Sequence, residues 1–151
     1  MAQLREADAG DGVALAQLRW AWRVEDGRTT GADEQRFVEG FASWWAGSKG
    51  YVAVVAEVGS AVVGMGFLAV VGRVPEPGAL HRCHGDLQSV YVAPSHRNQG
   101  IGEEIVRYLV ERASALGCVR VTVHSSGRAV PLYQRLGLEH SDRLLMQRLH
   151  G

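Results

Sequence analysis

Six consecutive residues, Arg97-Asn98-Gln99-Gly100-Ile101-Gly102, have the types and spacing needed to bind an anion. Glycine lets backbone N–H groups approach a ligand closely, and a helix N-terminus adds unpaired N–H donors and the positive end of its dipole. Arg97 supplies a charge-assisted donor. The turn therefore predicts a phosphate-binding site, although the dinucleotide pattern Gly-x-Gly-x-x-Gly and the Gly-Lys-[Ser/Thr] ending of a nucleoside-triphosphate loop are both absent from it.

The elements on either side of this turn must position it. Residues Leu87 to Val92 form an apolar run that predicts a buried strand, which ends at Ala93-Pro94. After the turn, apolar residues recur at helical spacing, at Ile101, Ile105, Leu109 and Ala113. We expect a strand, an anion-binding turn and a helix in that order.

The remaining sequence predicts a domain of the α/β class around this unit. Strands are expected at Gln3 to Ala7, Tyr51 to Val58, Ala61 to Val71, Val119 to His124, Leu138 to Glu139 and Arg143 to Leu149, and Arg73 to Gly85 is expected to be a loop. Helices are expected at Val13 to Arg23, from a cap at Asp33 to Gly47, and from Pro131 to Gly137. The order β-α-α-β-β-β-α-β-α-β-β predicts a central mixed, mostly antiparallel sheet, covered by helices on both faces.

Composition limits the possible partners. The 151 residues are 46% apolar and 21% charged, without a break in composition, so we expect one domain over residues 1–151. Sixteen basic and 16 acidic residues give a formal net charge of zero, which does not favour binding to nucleic acid or to an anionic membrane. The N-terminal residues lack the pattern of a secretory signal, and we expect a cytoplasmic protein.

Neither cysteine is expected to form a disulfide or to bind a metal. Cys83 lies in a His-rich stretch and Cys118 at the apolar start of a strand, so their surroundings differ. The pattern His81-x-Cys83-His84 lacks a second pair of ligands at zinc spacing. We expect two free thiols and no metal site.

Two linked motifs, YVAPSHRNQGIG and AVPLYQRLGL, resemble those of the GNAT superfamily of N-acetyltransferases. Members of that superfamily pair an Arg/Gln-x-x-Gly-x-Gly/Ala turn after the fourth strand with a later Tyr-x-x-x-Gly-Phe helix end. The second motif here is Tyr133 to Leu138, with Leu138 in place of the usual Phe and Ser126 where many members have Asn. The resemblance is strongest over residues 87–138.

The resemblance implies that acetyl-coenzyme A binds between the fourth and fifth strands. The backbone of the fourth strand's end would pair with the pantetheine arm, and the turn and the first helical residues would hold the pyrophosphate. The cofactor-binding residues implied in this way are Val90, Tyr91, Val92, Arg97, Asn98, Gln99, Gly100, Ile101, Gly102, Glu103 and, at the end of the fifth strand, Ser126.

Tyr133 is the candidate general acid. A departing coenzyme A thiolate needs a proton, and a phenol within hydrogen-bond reach can supply one. The alternative is an ordinary core or surface tyrosine.

Asp86 is the candidate general base, because an attacking amine must lose a proton. Gln88 lies inside the same strand, but an amide cannot accept that proton. The alternative for Asp86 is a solvated cap at the strand's start.

An acidic stretch that includes Glu25, Asp26 and Asp33 lies in or beside the loop that covers the acceptor site in the resembled family. These carboxylates would suit a cationic amine, and the alternative is a solvated acidic loop.

Together these features predict an N-acetyltransferase that moves an acetyl group from acetyl-coenzyme A to a small-molecule or peptide primary amine, by direct attack in a ternary complex. The alternative is a non-catalytic domain of the same fold that senses coenzyme A or binds a partner. A homodimer is a further expectation, since dimers are common in the resembled family.

Overall fold

A computed structural model describes residues 1–29 and 31–150. The elements, in chain order, are β1 (Gln3–Glu6), α1 (Gly12–Glu25), α2 (Glu34–Gly47), β2 (Tyr51–Val58), β3 (Ala61–Arg73), β4 (Arg82–Val92), α3 (Ile101–Ala115), β5 (Cys118–Val123) and α4 (Val130–Arg135). Short 3-10 turns at Ala9–Asp11 and Pro94–His96 precede α1 and the turn at residues 97–100.

The five strands form one sheet in the order β1-β2-β3-β4-β5. The first three pairings are antiparallel, and β4 pairs with β5 in parallel. A parallel pair needs a crossover connection, which α3 provides here. The predicted mixed, mostly antiparallel sheet is confirmed.

Helices cover both faces of the sheet, because its central strands are apolar on both sides. On one face, α3 buries Ile105 and Leu109 against Leu68 and Leu87, and none of the four is more than 2% exposed. On the other face, α1 and α2 pack on β2, β3 and β4 through a second cluster that includes Leu15, Leu18, Trp45, Met65, Phe67 and Tyr91. Alternate residues of a strand point to opposite faces of the sheet, so each cluster lies on one face and the sheet separates the two.

The hairpin of β3 and β4 is longer than predicted. The stretch from Arg73 to Gly85 was expected to be a loop, but pairing continues through Gly72 with Cys83 and Arg73 with Arg82, so the prediction is wrong at both ends of the loop. Its turn-forming residues, Pro75, Pro77 and Gly78, are confined to the tip. Antiparallel ladder bonds therefore extend the strands beyond the apolar core.

The two strands predicted at Leu138 to Glu139 and Arg143 to Leu149 are also wrong. Residues 136–150 contain no strand, and Leu145 and Leu149 are 87% and 74% exposed. A strand needs a neighbouring edge for its backbone hydrogen bonds and a surface for its apolar side chains, and this segment has neither within the described chain.

Cys83 and Cys118 prove to be neighbours despite their dissimilar sequence surroundings. They are register partners on β4 and β5, and their sulfur atoms lie 3.4 Å apart as free thiols. Burial, together with the Cys83 thiol, raises the pKa of Cys118 to about 11.

Within residues 1–29 and 31–150, no helix is long and apolar enough to cross a membrane. The same residues include no cluster of three or more His, Cys, Asp or Glu side chains that could hold a metal ion.

Candidate functional site

The β4 strand leaves its parallel partner before it ends. The last pairs with β5 are Asp86 with Thr122 and Leu87 with Val123, whereas β4 continues to Val92. Pairing with β3 shifts register between Met65 and Phe67, and Ser89 has a left-handed φ of 51°. A bulge of this kind bends its strand. The backbone of Val90 to Val92 consequently has no partner from β5.

The turn after β4 is shaped by two left-handed residues. Asn98 has φ of 63° and Gly100 has φ of 81°, conformations that Gly and Asn adopt at least cost. Gly100 is the N-cap of α3, and no side chain caps the helix there. The first helical backbone bond after the turn runs from the Glu104 N–H to the Gly100 carbonyl, at 3.1 Å. The N–H groups of the first helical residues, Ile101 to Glu103, thus have no acceptor within the helix, as an anion site requires.

Gly102 is not required by the backbone alone. Its φ is not left-handed, and a Cβ added there would meet Val92 Cγ2 at 3.7 Å, an ordinary contact. Gly102 carries one of the N–H groups that have no acceptor within the helix, and glycine leaves the least side-chain bulk beside it.

Arg97 makes three side-chain hydrogen bonds at the start of the turn. Its Nε donates to the Val92 carbonyl at 2.9 Å, and Nη1 and Nη2 donate to the two carboxylate oxygens of Glu25 at 2.8 and 2.9 Å. Glu25 is the last residue of α1. This bidentate pair joins α1 to the turn.

Tyr91 completes the same network from β4. Its hydroxyl donates to Glu25 Oε1 at 2.9 Å, its ring stacks on Trp22 with centroids 5.3 Å apart, and the Arg97 guanidinium lies 5.3 Å from its ring centre. The hydrogen bonds from Arg97, and then from Tyr91, lower the pKa of Glu25 to about 2. Burial, and then the bond to Glu25, raises the pKa of Tyr91 to about 12. At neutral pH the carboxylate is charged and the phenol is protonated.

Two other residues expected at the cofactor lie at the edges of this region. The Glu103 carboxylate, in the first turn of α3, is 3.9 Å from Arg135 Nε of α4. Ser126 is exposed in the loop after β5, where its carbonyl accepts hydrogen bonds from the Ser125 hydroxyl and the Ala129 N–H.

Tyr133 and Asp86 line one cavity of about 960 Å³ beside β5, α4 and the C-terminal segment. Tyr133 is 8% exposed and belongs to the apolar cluster on the α3 face, and this burial raises the pKa of its phenol. Asp86 alternates with Leu87, which also packs on that face, so its carboxylate lies on the opposite side of the sheet. The two groups flank the point where β4 and β5 diverge.

The Asp86 carboxylate has two hydrogen-bond donors. Thr122 Oγ1 donates to one oxygen at 3.0 Å, and Gln88 Nε2 donates to the other at 2.9 Å. The sequence left a solvated cap at the start of the strand as the alternative role for Asp86, but both donors are side chains of β4 and β5. They fix the carboxylate where the strands separate.

The acidic residues near the acceptor loop do not form one group. Glu25 is bound to Arg97 and Tyr91, and Asp33 caps α2 by accepting from the Arg36 N–H at 3.3 Å. Asp26 is exposed at the C-cap of α1. In this structure Asp26 alone of the three has no hydrogen bond to its carboxylate from the described residues.

The sequence did not indicate the network of Glu25, Tyr91 and Arg97. Glu25 and Arg97 are 72 positions apart, and both belong to stretches that already had another interpretation. Only the folded sheet brings the end of α1 next to the end of β4.

Comparison with known proteins bears on the family and on the fold. The sequence pattern of the acetyltransferase (GNAT) family matches residues 14–138. A predicted acetyltransferase from Clostridium acetobutylicum, solved with acetyl-CoA, has the same fold, with a TM-score of 0.76, 20% identity and coverage of 98% of this chain and 96% of that one.

Two curated relatives match over part of their length. Glucosamine 6-phosphate N-acetyltransferase of Trypanosoma brucei brucei is 34% identical over 62 residues, which are 41% of this chain and 42% of the relative. Glucosamine 6-phosphate N-acetyltransferase 1 of Oryza sativa subsp. japonica is 32% identical over 78 residues, 46% of this chain and 47% of the relative. The chain thus matches less than half the length of either protein. Since the family pattern covers most of its residues, the chain belongs to the acetyltransferase (GNAT) family.

Proposed function

We propose that this protein transfers an acetyl group from acetyl-coenzyme A to a primary amine by direct attack in a ternary complex. The observation that carries the proposal is the combination of a β4 end that has no partner from β5 with an uncapped turn at the start of α3. Membership of the GNAT family supports it.

The donor would bind along this combination. On the side where β5 has left β4, the backbone of Val90 to Val92 suits the amide groups of a pantetheine arm, although the Val92 carbonyl already accepts from Arg97. The N–H groups of Ile101 to Glu103 suit a pyrophosphate. Asn98 and Gln99 form the turn that aims them, and Ser126 would contact the donor from the β5 side. The pairing of Glu103 with Arg135 partly offsets the negative charge of this carboxylate near the phosphates.

The chemistry would then take place where β4 and β5 separate. The acceptor attacks as the neutral amine: its nitrogen forms a bond to the thioester carbon and gives one proton to Asp86, and the carbon–sulfur bond breaks. Backbone N–H groups near Val90 stabilise the oxygen on which charge develops. Tyr133, kept protonated by burial, donates its proton to the departing thiolate.

The acceptor is a small-molecule or peptide amine. Glucosamine 6-phosphate is the first compound to test, because both curated relatives are named for it. Asp26 is the carboxylate best placed to attract a cationic amine, as Glu25 and Asp33 already have partners.

Isothermal titration with acetyl-coenzyme A tests the proposal. We expect saturable binding in the micromolar range, and an absence of binding at ~1 mM would overturn the proposal. Thiol release in the presence of glucosamine 6-phosphate, polyamines, amino acids and peptide N-termini then identifies the acceptor.

We also propose that the C-terminal segment, residues 136–150, contacts a second copy of this chain. It exposes Leu144, Leu145, Met146 and Leu149, and within the described chain β4 is the one strand that pairs with β5. An open strand edge beside a strand-like apolar sequence of the same chain favours self-pairing. Sedimentation should give a mass above 16.4 kDa that the double variant L145R/L149R returns to 16.4 kDa. A wild-type mass of 16.4 kDa at working concentration would contradict the dimer.

A further inference from the structure

We propose that Glu25 is a positioning residue of the donor site, which holds the Arg97 guanidinium in place for the pyrophosphate. This inference rests on the proposed function, because it concerns the same turn. It also gives Glu25 a role different from the acceptor contact that the acidic stretch predicted.

The hydrogen bonds of Arg97 leave part of its guanidinium free for a ligand. A guanidinium has five N–H donors in a rigid planar fork. One goes to the Val92 carbonyl and one from each terminal nitrogen goes to Glu25. Two N–H donors, one on each terminal nitrogen, remain, and because they point to opposite sides of the fork a phosphate would take one of them while all three existing bonds stay in place.

Fixing the guanidinium matters because Arg97 would otherwise be a flexible side chain at an exposed turn. Ordering a long side chain on binding costs about 0.5–1.5 kcal/mol, and that cost falls when the side chain is already fixed. Glu25 and Val92 hold opposite ends of the fork, and Tyr91 lies beneath it. The site therefore binds its anion with an arginine whose orientation is set beforehand.

The same carboxylate also fixes the strand that lies under the donor. Tyr91 donates to Glu25, is 5% exposed, and belongs to the β4 end whose backbone would pair with pantetheine. Because the pKa of Glu25 is lowered to about 2, the carboxylate keeps its charge, and both partners, throughout the neutral range. Arg128 is a further cation close enough to lower that pKa, although no ion pair joins it to Glu25.

A role in fold stability does not account for this pair. Both side chains are 38% exposed, and exposed ion pairs stabilise proteins little because water and salt screen them. Removing Glu25 should lower the urea midpoint only slightly and should alter the affinity for the donor.

A double-mutant cycle on acetyl-coenzyme A binding tests the proposal. Titration calorimetry would compare wild type, E25A, R97A and E25A/R97A, with E25Q as a variant that keeps the shape and part of the hydrogen bonding. We expect E25A to raise the Kd about three- to tenfold, E25Q to raise it less, and the double variant to bind no more weakly than R97A. The exposed α3 residue Glu111 provides the control E111A, which should bind like wild type.

Two results would overturn the positioning role while leaving the proposed function intact. One is an E25A variant with wild-type affinity, and the other is a double variant whose loss equals the sum of the single losses. If E25A alters the urea midpoint, E25Q supplies the Glu25 arm of the cycle. Failure of the wild-type protein to bind acetyl-coenzyme A would instead reject the proposed function, and the positioning role with it.

Discussion

The helix α3 and the C-terminal segment have similar proportions of large apolar residues but different outcomes. Ile105 and Leu109 of α3 are 0% exposed, whereas Leu145 and Leu149 of the C-terminal segment are 87% and 74% exposed. The helix makes its own backbone hydrogen bonds and lies over four paired strands, β2 to β5. The segment needs a partner strand for its backbone and has none within the described chain.

The difference teaches that an apolar pattern forms an element only where a surface receives it. The stretch from β4 through the turn to α3 supplies both an apolar pattern and the surface that receives it, because β4 joins the sheet and α3 packs back over that sheet. The C-terminal segment can form a strand only beside the open edge of another strand, which is β5 or a strand of a second molecule. Mutations in the two regions should therefore change the free energy of unfolding by different amounts.

Truncating one leucine in each region should give the largest contrast. Leu109→Ala leaves a cavity under α3 and should lower the free energy of unfolding by about 2–5 kcal/mol. Leu145→Ala removes an exposed side chain and should change it by no more than about 0.5 kcal/mol. Urea unfolding of dilute protein measures both. An equal loss for the two variants would show that the segment is buried in solution.

Gly102→Ala tests whether glycine at this position is needed for ligand binding or for the stability of the fold. The new methyl group meets Val92 at an ordinary distance, so the free energy of unfolding should not fall. The same methyl group stands beside the unpaired N–H groups, and we expect the affinity for acetyl-coenzyme A to fall about tenfold or more. Gly127→Ala, which has open space and lies in the loop after β5, is the matched control. Unchanged affinity in Gly102→Ala would place the phosphates elsewhere.

Tyr133→Phe tests the role of α4, which follows α3 in the chain and precedes the C-terminal segment. All three line the same cavity. Loss of the hydroxyl should lower kcat by about tenfold and leave acetyl-coenzyme A affinity unchanged, because the ring still fills its place in the α3 cluster. Thiol release under saturating donor and acceptor gives kcat. Full turnover in this variant would remove Tyr133 from the mechanism, and a complete lack of turnover in wild type with every amine would favour the sensor alternative.

Local patterns were sufficient to predict the turn between β4 and α3. Gly100 and Asn98 adopt the left-handed conformations that a glycine-rich strand-to-helix turn needs, and α3 follows its apolar spacing. Both features depend on residues close together in the chain, where spacing determines geometry. The residues of the turn already predicted an anion-binding conformation, and the family motif predicted which ligand would bind there.

Contacts between distant parts of the chain were not predictable in this way. The bond of Glu25 to Arg97, the contact of Cys83 with Cys118, and the pairing of Arg73 with Arg82 each depend on strand register or on how a helix packs. A single sequence gives no register for strands joined by long connections. The acidic stretch was therefore assigned to the acceptor as a whole, although two of its three carboxylates bind other parts of the protein.

The smallest expected effect concerns the pH dependence of the Glu25 network. Its folded pKa of about 2 lies below the ordinary value of 4.5, so its stabilising contribution is complete above pH 4.5 and is lost as the pH falls from there toward 2. Asp11, whose pKa is lowered by Arg5, adds a similar acid sensitivity elsewhere. The difference in unfolding free energy between wild type and E25Q should therefore shrink between pH 4.5 and 2. Urea unfolding at several pH values measures this difference, with E111Q on the exposed face of α3 measured alongside as a reference variant. A gap for E25Q that does not change with pH would mean that Glu25 pairs no more strongly in the folded protein than in water.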